Sequence, residues 1–302
     1  MIAWMSVPDF LNGFKVYETF FELKRENPEI FNPNIEIEAI FGCFPNAVWN
    51  GGGFSFGPCF TYTQMDKIRA FYNEKNIPLR LTFTNPALEE QDLYDNYCNV
   101  IASIFHNELN EVLVSTDLMF KYIKTNYPKF KIVRSIIGRS EGEPYLIHKD
   151  YKRTVLSRAE NKNWELLDNI PLEDRDKIEI LCNEICVPDC PYTFHHYLEH
   201  GVDQKCFSAM SAGCFNPNFI HRQNRKFYFK AIQDAPNHLN YEDFKEYMAK
   251  GYTHFKLSGR FDILKIAFEI SNYFIKPEYQ QDFVKLSLSN MIRDNLSGIS
   301  VL

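Results

Sequence analysis

The sequence predicts an α/β fold, a closed (β/α)8 barrel formed by residues 1–302 as a single domain with a C-terminal helical extension. Three observations carry this reading. Short runs rich in β-branched and aromatic residues alternate with helical patterns, and parallel strands need such crossovers. The β-rich runs number eight, which closes a barrel. The two longest connections both follow strands, which places them on the C-terminal face, where barrels of this TIM type build their sites.

The strand candidates are IAWMSV (2–7), IEIEAIFG (35–42), PLRLTFT (78–84), EVLVS (111–115), KIVRSII (131–137), RTVLS (153–157), KIEILCN (177–183) and THFKLSG (253–259). Between them lie helical segments: VYETFFELKREN, YTQMDKIRAFYNEKN, QDLYDNYCNVIASIFHNEL, DLMFKYIKTNY, NWELLDNI and YEDFKEYMAKG. Gly251 stands where a helix C-cap belongs. A further helix, FDILKIAFEISNYFI, follows the eighth strand, and the last residues continue as helix with a frayed end. The long connections run from Cys43 to Thr63 and from Ile185 to Arg225, and loops of that length in compact domains tend to carry function. FYFKAIQDAP (227–236) is a ninth β-like run, read as an excursion before the last helix-strand unit.

Composition bounds the function. With 45% apolar and 24% charged residues the chain has ample material for a large core. A net charge of −6 argues against a nonspecific polyanion binder, which needs clustered Lys and Arg, so no strong nucleic-acid signal is present. MIAWMSVPDF lacks the features of a signal peptide and no stretch has the length of a membrane span, so the expectation is a cytoplasmic protein. Eight cysteines in that setting point to open thiols or metal ligation rather than disulfides.

The densest chemical signal is CNEICVPDCPYTFHHYLEHGVDQKCFSAMSAGC, which gathers Cys182, Cys186, Cys190, Cys206 and Cys214 with His195, His196 and His200. Thiolates bind soft and borderline metals and iron–sulfur clusters, while an isolated Cys is a small buried hydrophobe. Cys186 and Cys190 lead as ligands, because the Pro-Asp between them makes a turn. Cys206 and Cys214 are further donors, Cys43 ends the second strand on the same barrel face, and Cys182 falls within a strand. The spacing of 186 and 190 departs from the CxxxCxxC pattern of radical S-adenosylmethionine enzymes. His196, Glu199 and His200 also spell H-x-x-E-H, a zinc-peptidase pattern that requires a long helix, whereas the flanking Cys-Pro segment reads as loop.

Polar residues cluster at predicted strand ends: Asn85, Ser115, Arg134, Arg158, Asn183, Glu184, Lys256 and Arg260. Arg134 and Asn85 are candidate substrate contacts, and Lys256 with Arg260 could hold a carboxylate or phosphate. Asn183 and Glu184 are the candidate catalytic pair. WNGGGFSFG (49–57) has neither the Lys-Ser/Thr ending of a P-loop nor the context of a dinucleotide fingerprint, and reads as a loop over the mouth.

GYTHFKLSGR, together with EILCNEICVPDCPY, resembles the peptidase U32 family through Gly251, Lys256, Gly259 and Arg260, with a loose likeness from Ile35 to about Arg260. The resemblance implies a barrel that in several members holds a four-iron four-sulfur (4Fe-4S) cluster and supports oxygen-independent hydroxylation of RNA bases or quinone precursors. Other members carry a protease label. It also implies a ligand set of Cys43, Cys186, Cys190 and Cys206.

Three readings therefore enter the structure: an iron–sulfur oxidoreductase or hydroxylase acting on a small or nucleobase-like substrate, a zinc-dependent hydrolase using His196 and His200, and a non-catalytic ligand- or partner-binding barrel. None of them fixes an oligomeric state.

Overall fold

The computed structural model describes residues 1–53, 55–137, 147–184, 186, 190–210, 234–235, 237–259 and 262–296. Eight parallel strands close in sequence order: β1 (Ala3–Pro8), β2 (Ile35–Gly42), β3 (Leu79–Phe83), β4 (Glu111–Val114), β5 (Lys131–Arg134), β6 (Arg153–Val155), β7 (Ile178–Leu181) and β8 (His254–Lys256). Closure is made by β8 against β1, with Trp4 opposite His254 and Ser6 opposite Lys256. Seven strands lie within their predicted runs and β1 extends one residue past its own, to Pro8, so the TIM-type (β/α)8 barrel stands as the fold.

The helices are α1 (Phe14–Glu26), α2 (Tyr62–Asn73), α3 (Asn96–Phe105), α4 (Asp117–Asn126), α5 (Trp164–Asn169), α6 (Thr193–Cys206), α7 (Asp243–Ala249), α8 (Ile263–Phe274) and α9 (Gln280–Leu296). Local signals set their ends. Thr61 and Gln64 form a capping box before α2, and Asp95, Thr116, Asn163 and Asp262 cap α3, α4, α5 and α8 through their side chains. Asp95 also interrupts the predicted helix over 91–109, leaving a short 3₁₀ turn at Glu90–Tyr94 before α3. Gly251 takes φ +91, the left-handed conformation that ends α7 without strain from a Cβ. Among the described residues no helix is long and apolar enough to cross a membrane.

One element corrects the sequence reading. The connection after β7 is not a plain loop: it contains α6, so H-x-x-E-H lies on a helix after all. Sequence periodicity missed it because only Gly201, Asp203 and Gln204 of α6 are fully buried and none is apolar enough to print a stripe. The excursion at 227–236 falls mostly outside the described residues.

Strand alternation divides the barrel into two environments. Leu79, Leu81, Phe83, Val112, Val114, Ile132, Ile178, Ile180 and Phe255 point outward into the apolar layer beneath the helices. The alternate positions point inward, and the register aligns them as Arg80 opposite Glu111, Leu113 opposite Val133, and Glu179 opposite His254. Leu113, Val133, Val155 and Leu181 form a small apolar collar of their own inside the barrel.

Below that collar the lumen is charged. Arg80, fully buried, holds Glu111 through Nε at 2.7 Å and Glu179 through Nη1 at 2.7 Å. Lys152 bridges Glu111 and Glu38, and Arg153 reaches Glu38 at 2.9 Å. The His254 Nδ1 lies 2.9 Å from Glu38, while its Nε2 lies 2.7 Å from the Arg153 guanidinium, which can only donate. The ring is therefore the Nδ1–H tautomer, donating to Glu38 and accepting from Arg153. Burial alone would raise the Glu38 carboxyl, but His254, Arg153 and Lys152 hold it well below the usual carboxylate range. The barrel floor is thus plugged by paired charges.

Candidate functional site

The C-terminal mouth is roofed by α6. Its first turn meets the β6 side, where the Arg158 Nη2 donates to the Thr193 hydroxyl at 3.1 Å. Its last turns rest on the β3 side, where Asn85 donates to the Gly201 carbonyl at 2.9 Å and Lys205 pairs with Asp92 at 2.7 Å. The helix spans about 20 Å at 1.5 Å per residue, enough to cross the mouth. A Cβ on Gly201 would stand 2.3 Å from the Asn85 Oδ1, so glycine permits this close seating.

Buried Gln204 ties the roof to the loop after β2. Its carboxamide accepts from the Ser55 N–H at 2.7 Å and donates to the Ala47 carbonyl at 3.1 Å. In that loop Ala47, Trp49 and Asn50 are fully buried, and a Cβ on Gly51 would fall 2.1 Å from the Thr84 carbonyl. The glycine-rich run is therefore wedged against the end of β3 rather than hanging over the opening.

Thr193, His196, Tyr197, His200, Gly201 and Gln204 share one face of α6 by helical spacing, and Thr193, Gly201 and Gln204 contact the barrel. That face carries two imidazoles inward, their Nε2 atoms 2.6 Å apart. Burial holds the His196 imidazole below its ordinary range, with Glu199 opposing and Arg158 reinforcing the shift. His195 lies off that face and pairs with Glu199 at 3.0 Å.

Arg158 is the electrostatic centre of the mouth. It is 5% exposed, and among the described residues its hydrogen bond is to the neutral Thr193 hydroxyl. Burial works against its charge, but Tyr197, Glu184, Cys186 and Cys190 stand close enough to raise its pKa overall. Deeper in, Lys256 lies 4.4 Å from the ring of Phe41 and influences Glu179 below.

The sequence-predicted residues divide accordingly. Glu184, Cys186 and Cys190 come together around Arg158 at this mouth, with the Glu184 Oε1 accepting from the Cys186 N–H at 3.2 Å, while Lys256 lies within the lumen against Phe41. Asn183 is fully buried, with its amide spent on the backbone of Ser258, to which it donates at 3.1 Å and from which it accepts at 2.5 Å. Asn85 is likewise committed, to Val48, Gly201 and Ala87. Arg134 sits opposite Val114, whose side chain faces outward, so alternation turns it away from the lumen toward Asp117 at 3.3 Å and Tyr151 at 3.4 Å. Arg260 and Cys214 lie outside the described residues.

The four cysteines expected to share a cluster are not brought to one point. Cys186 and Cys190 flank Arg158, but Cys206 ends α6, about 20 Å of helix away from the turn that touches Cys190. Cys43 is buried toward α3, close enough to Cys98 to raise its thiol pKa. Cys182 is enclosed in the apolar layer outside the barrel, where burial pushes its thiol well up. Among the described residues no three His, Cys, Asp or Glu side chains form a ready metal site. This set of four does not fit an iron–sulfur cluster, and no chemical step is derived through one.

Arg158 and α6 are the features that sequence reasoning undervalued. Arg158 was legible only as one strand-end polar residue among eight, since nothing in its neighbours announces that it is buried. Comparison with protein-family models, curated proteins and solved structures found no match.

Proposed function

We propose that this chain is a barrel enzyme that takes a small anionic substrate at the C-terminal mouth, between Lys256, Arg158 and the inward face of α6. The observation that carries the reading is Arg158 itself. This buried guanidinium makes its hydrogen bond among the described residues to a neutral hydroxyl, and the anionic groups near it act at electrostatic range, so its remaining donors suit an anionic ligand. Its planar donor fork matches a carboxylate or phosphate, and Lys256 adds a second positive charge on the lumen side. The pair stands out in a chain of net charge −6.

The rest of the mouth supports an enzyme rather than a simple anion trap. His196 and His200 face it with their Nε2 atoms in contact, and burial favours the neutral form of His196, the form that can act as a base. Glu184 lies within electrostatic reach of Arg158 and adds a carboxylate to the same mouth. A nucleobase-like substrate with an acidic or phosphate group fits the same demand.

The test is calorimetric titration of the full chain with inorganic phosphate and with a panel of small carboxylates. Arg158→Gln is expected to weaken binding at least tenfold, with Lys256→Gln adding to the loss. Unchanged affinity in Arg158→Gln would remove the reading. The iron–sulfur alternative retains only Cys186 and Cys190 as neighbours, and iron and sulfide assays after anaerobic purification decide it.

A further inference from the structure

From the face-to-face placement of His196 and His200 on α6, we infer that these two imidazoles chelate a borderline divalent cation, zinc being the best match, directly over the barrel mouth. The site does not depend on the anion reading and is tested separately from it.

The argument begins with helix geometry. Residues four apart stand one above the other, about one turn apart, so their side chains can converge on a single point. Here they do so through matching atoms. The Nε2 of His196 and the Nε2 of His200 lie 2.6 Å apart, with ring centroids 4.3 Å apart. Two imidazoles that meet nitrogen to nitrogen can be held either by one shared proton or by one metal ion.

At 2.6 Å the two nitrogens stand at hydrogen-bond distance, and a metal requires the pair to open. Zinc binds imidazole nitrogen at about 2.0–2.1 Å with tetrahedral angles, which sets two such nitrogens about 3.3 Å apart. Moving from 2.6 Å to that spacing needs a shift of about 0.7 Å, within reach of small side-chain rotations on half-buried residues.

The surroundings favour a cation as well. Glu199 lies three residues after His196, and its Oε2 is buried without a hydrogen-bond partner among the described residues. Its other oxygen is held by His195 at 3.0 Å, which leaves Oε2 directed by its neighbour rather than free to swing. A divalent ion beside it compensates that carboxylate. Arg158 is the opposing charge, acting on His196 against the Glu199 carboxylate.

Cobalt(II) titration of the full chain, read by visible absorption and repeated in competition with zinc, tests this. The expected result is weak d–d absorption without the strong thiolate charge-transfer band, lost by at least tenfold in affinity in His196→Ala and in His200→Ala and retained in His195→Ala. A thiolate band that survives the double replacement of His196 and His200 places the metal on cysteine and overturns the inference, as does an absence of binding. Should the variants unfold, the wild type alone decides: zinc is expected to protect His196 and His200 from diethyl pyrocarbonate, mapped by mass spectrometry. Equal modification with and without zinc also overturns it.

Discussion

Replacing Glu269 by Gln is expected to remove a pH dependence of stability centred near neutrality. Glu269 lies on α8, 2% exposed, against the end of β7, where it bonds the Asn183 side chain and lies near buried Lys265. Its Oε2 has no hydrogen-bond partner among the described residues. Desolvation dominates, Lys265 and Asn183 only partly offset it, and the carboxyl is pushed up from 4.5 to about 7. A folded-state pKa above the unfolded value means that the folded protein holds the proton more tightly. The associated stability is complete below pH 4.5 and is lost as pH rises through about 7. A shift of that size corresponds to about 3 kcal/mol. Urea unfolding of the wild type and Glu269→Gln at intervals from pH 4.5 to 8 measures it, because titrations elsewhere cancel in the difference. The variant is expected to gain about 3 kcal/mol relative to the wild type across that range. A difference that stays constant with pH would refute the reasoning.

Two further outcomes follow from burial and pairing. Arg80→Met leaves the carboxylates of Glu111 and Glu179 buried without their guanidinium and is expected to cost about 3–5 kcal/mol in chemical unfolding. Adding Glu111→Gln and Glu179→Gln should recover part of that loss, and a loss under about 1 kcal/mol in Arg80→Met would contradict the pairing. Under native conditions iodoacetamide is expected to label exposed Cys59 and Cys206 first, and Cys98 and Cys182 last, since burial both shields those two thiols and raises their pKa. Peptide mapping over time checks the order, and early labelling of Cys182 would place it outside the apolar layer.

The strands were readable because both of their faces obey simple rules. Val112, Leu113 and Val114 form an unbroken apolar run, as a strand buried on both sides must, and its flanks mark the turns. What the residues did not disclose is which face each polar side chain takes. Arg134 and Lys256 look equivalent as basic residues at strand ends, yet one register step separates the outer layer from the lumen. Asn85 and Asn183 resemble substrate contacts in sequence, whereas in three dimensions their amides satisfy backbone groups where the chain turns. The H-x-x-E-H motif was visible, but the helix beneath it was not. The contacts that stabilise α6 come from Asn85, Arg158 and the loop at Ala47–Ser55, all distant in sequence.

The ionic plug at the base of the barrel also acts as an alignment key. Sliding β3 by one residue against its neighbours would export the Arg80 guanidinium into oil and import Leu79 or Leu81 among carboxylates, an error far costlier than the mismatch of one apolar side chain with another. Short strands such as β6 and β8 offer few hydrogen bonds with which to choose their own alignment. Arg153 and His254, one on each, reach across the lumen to Glu38 and so reject misaligned closures that an oily interior would tolerate.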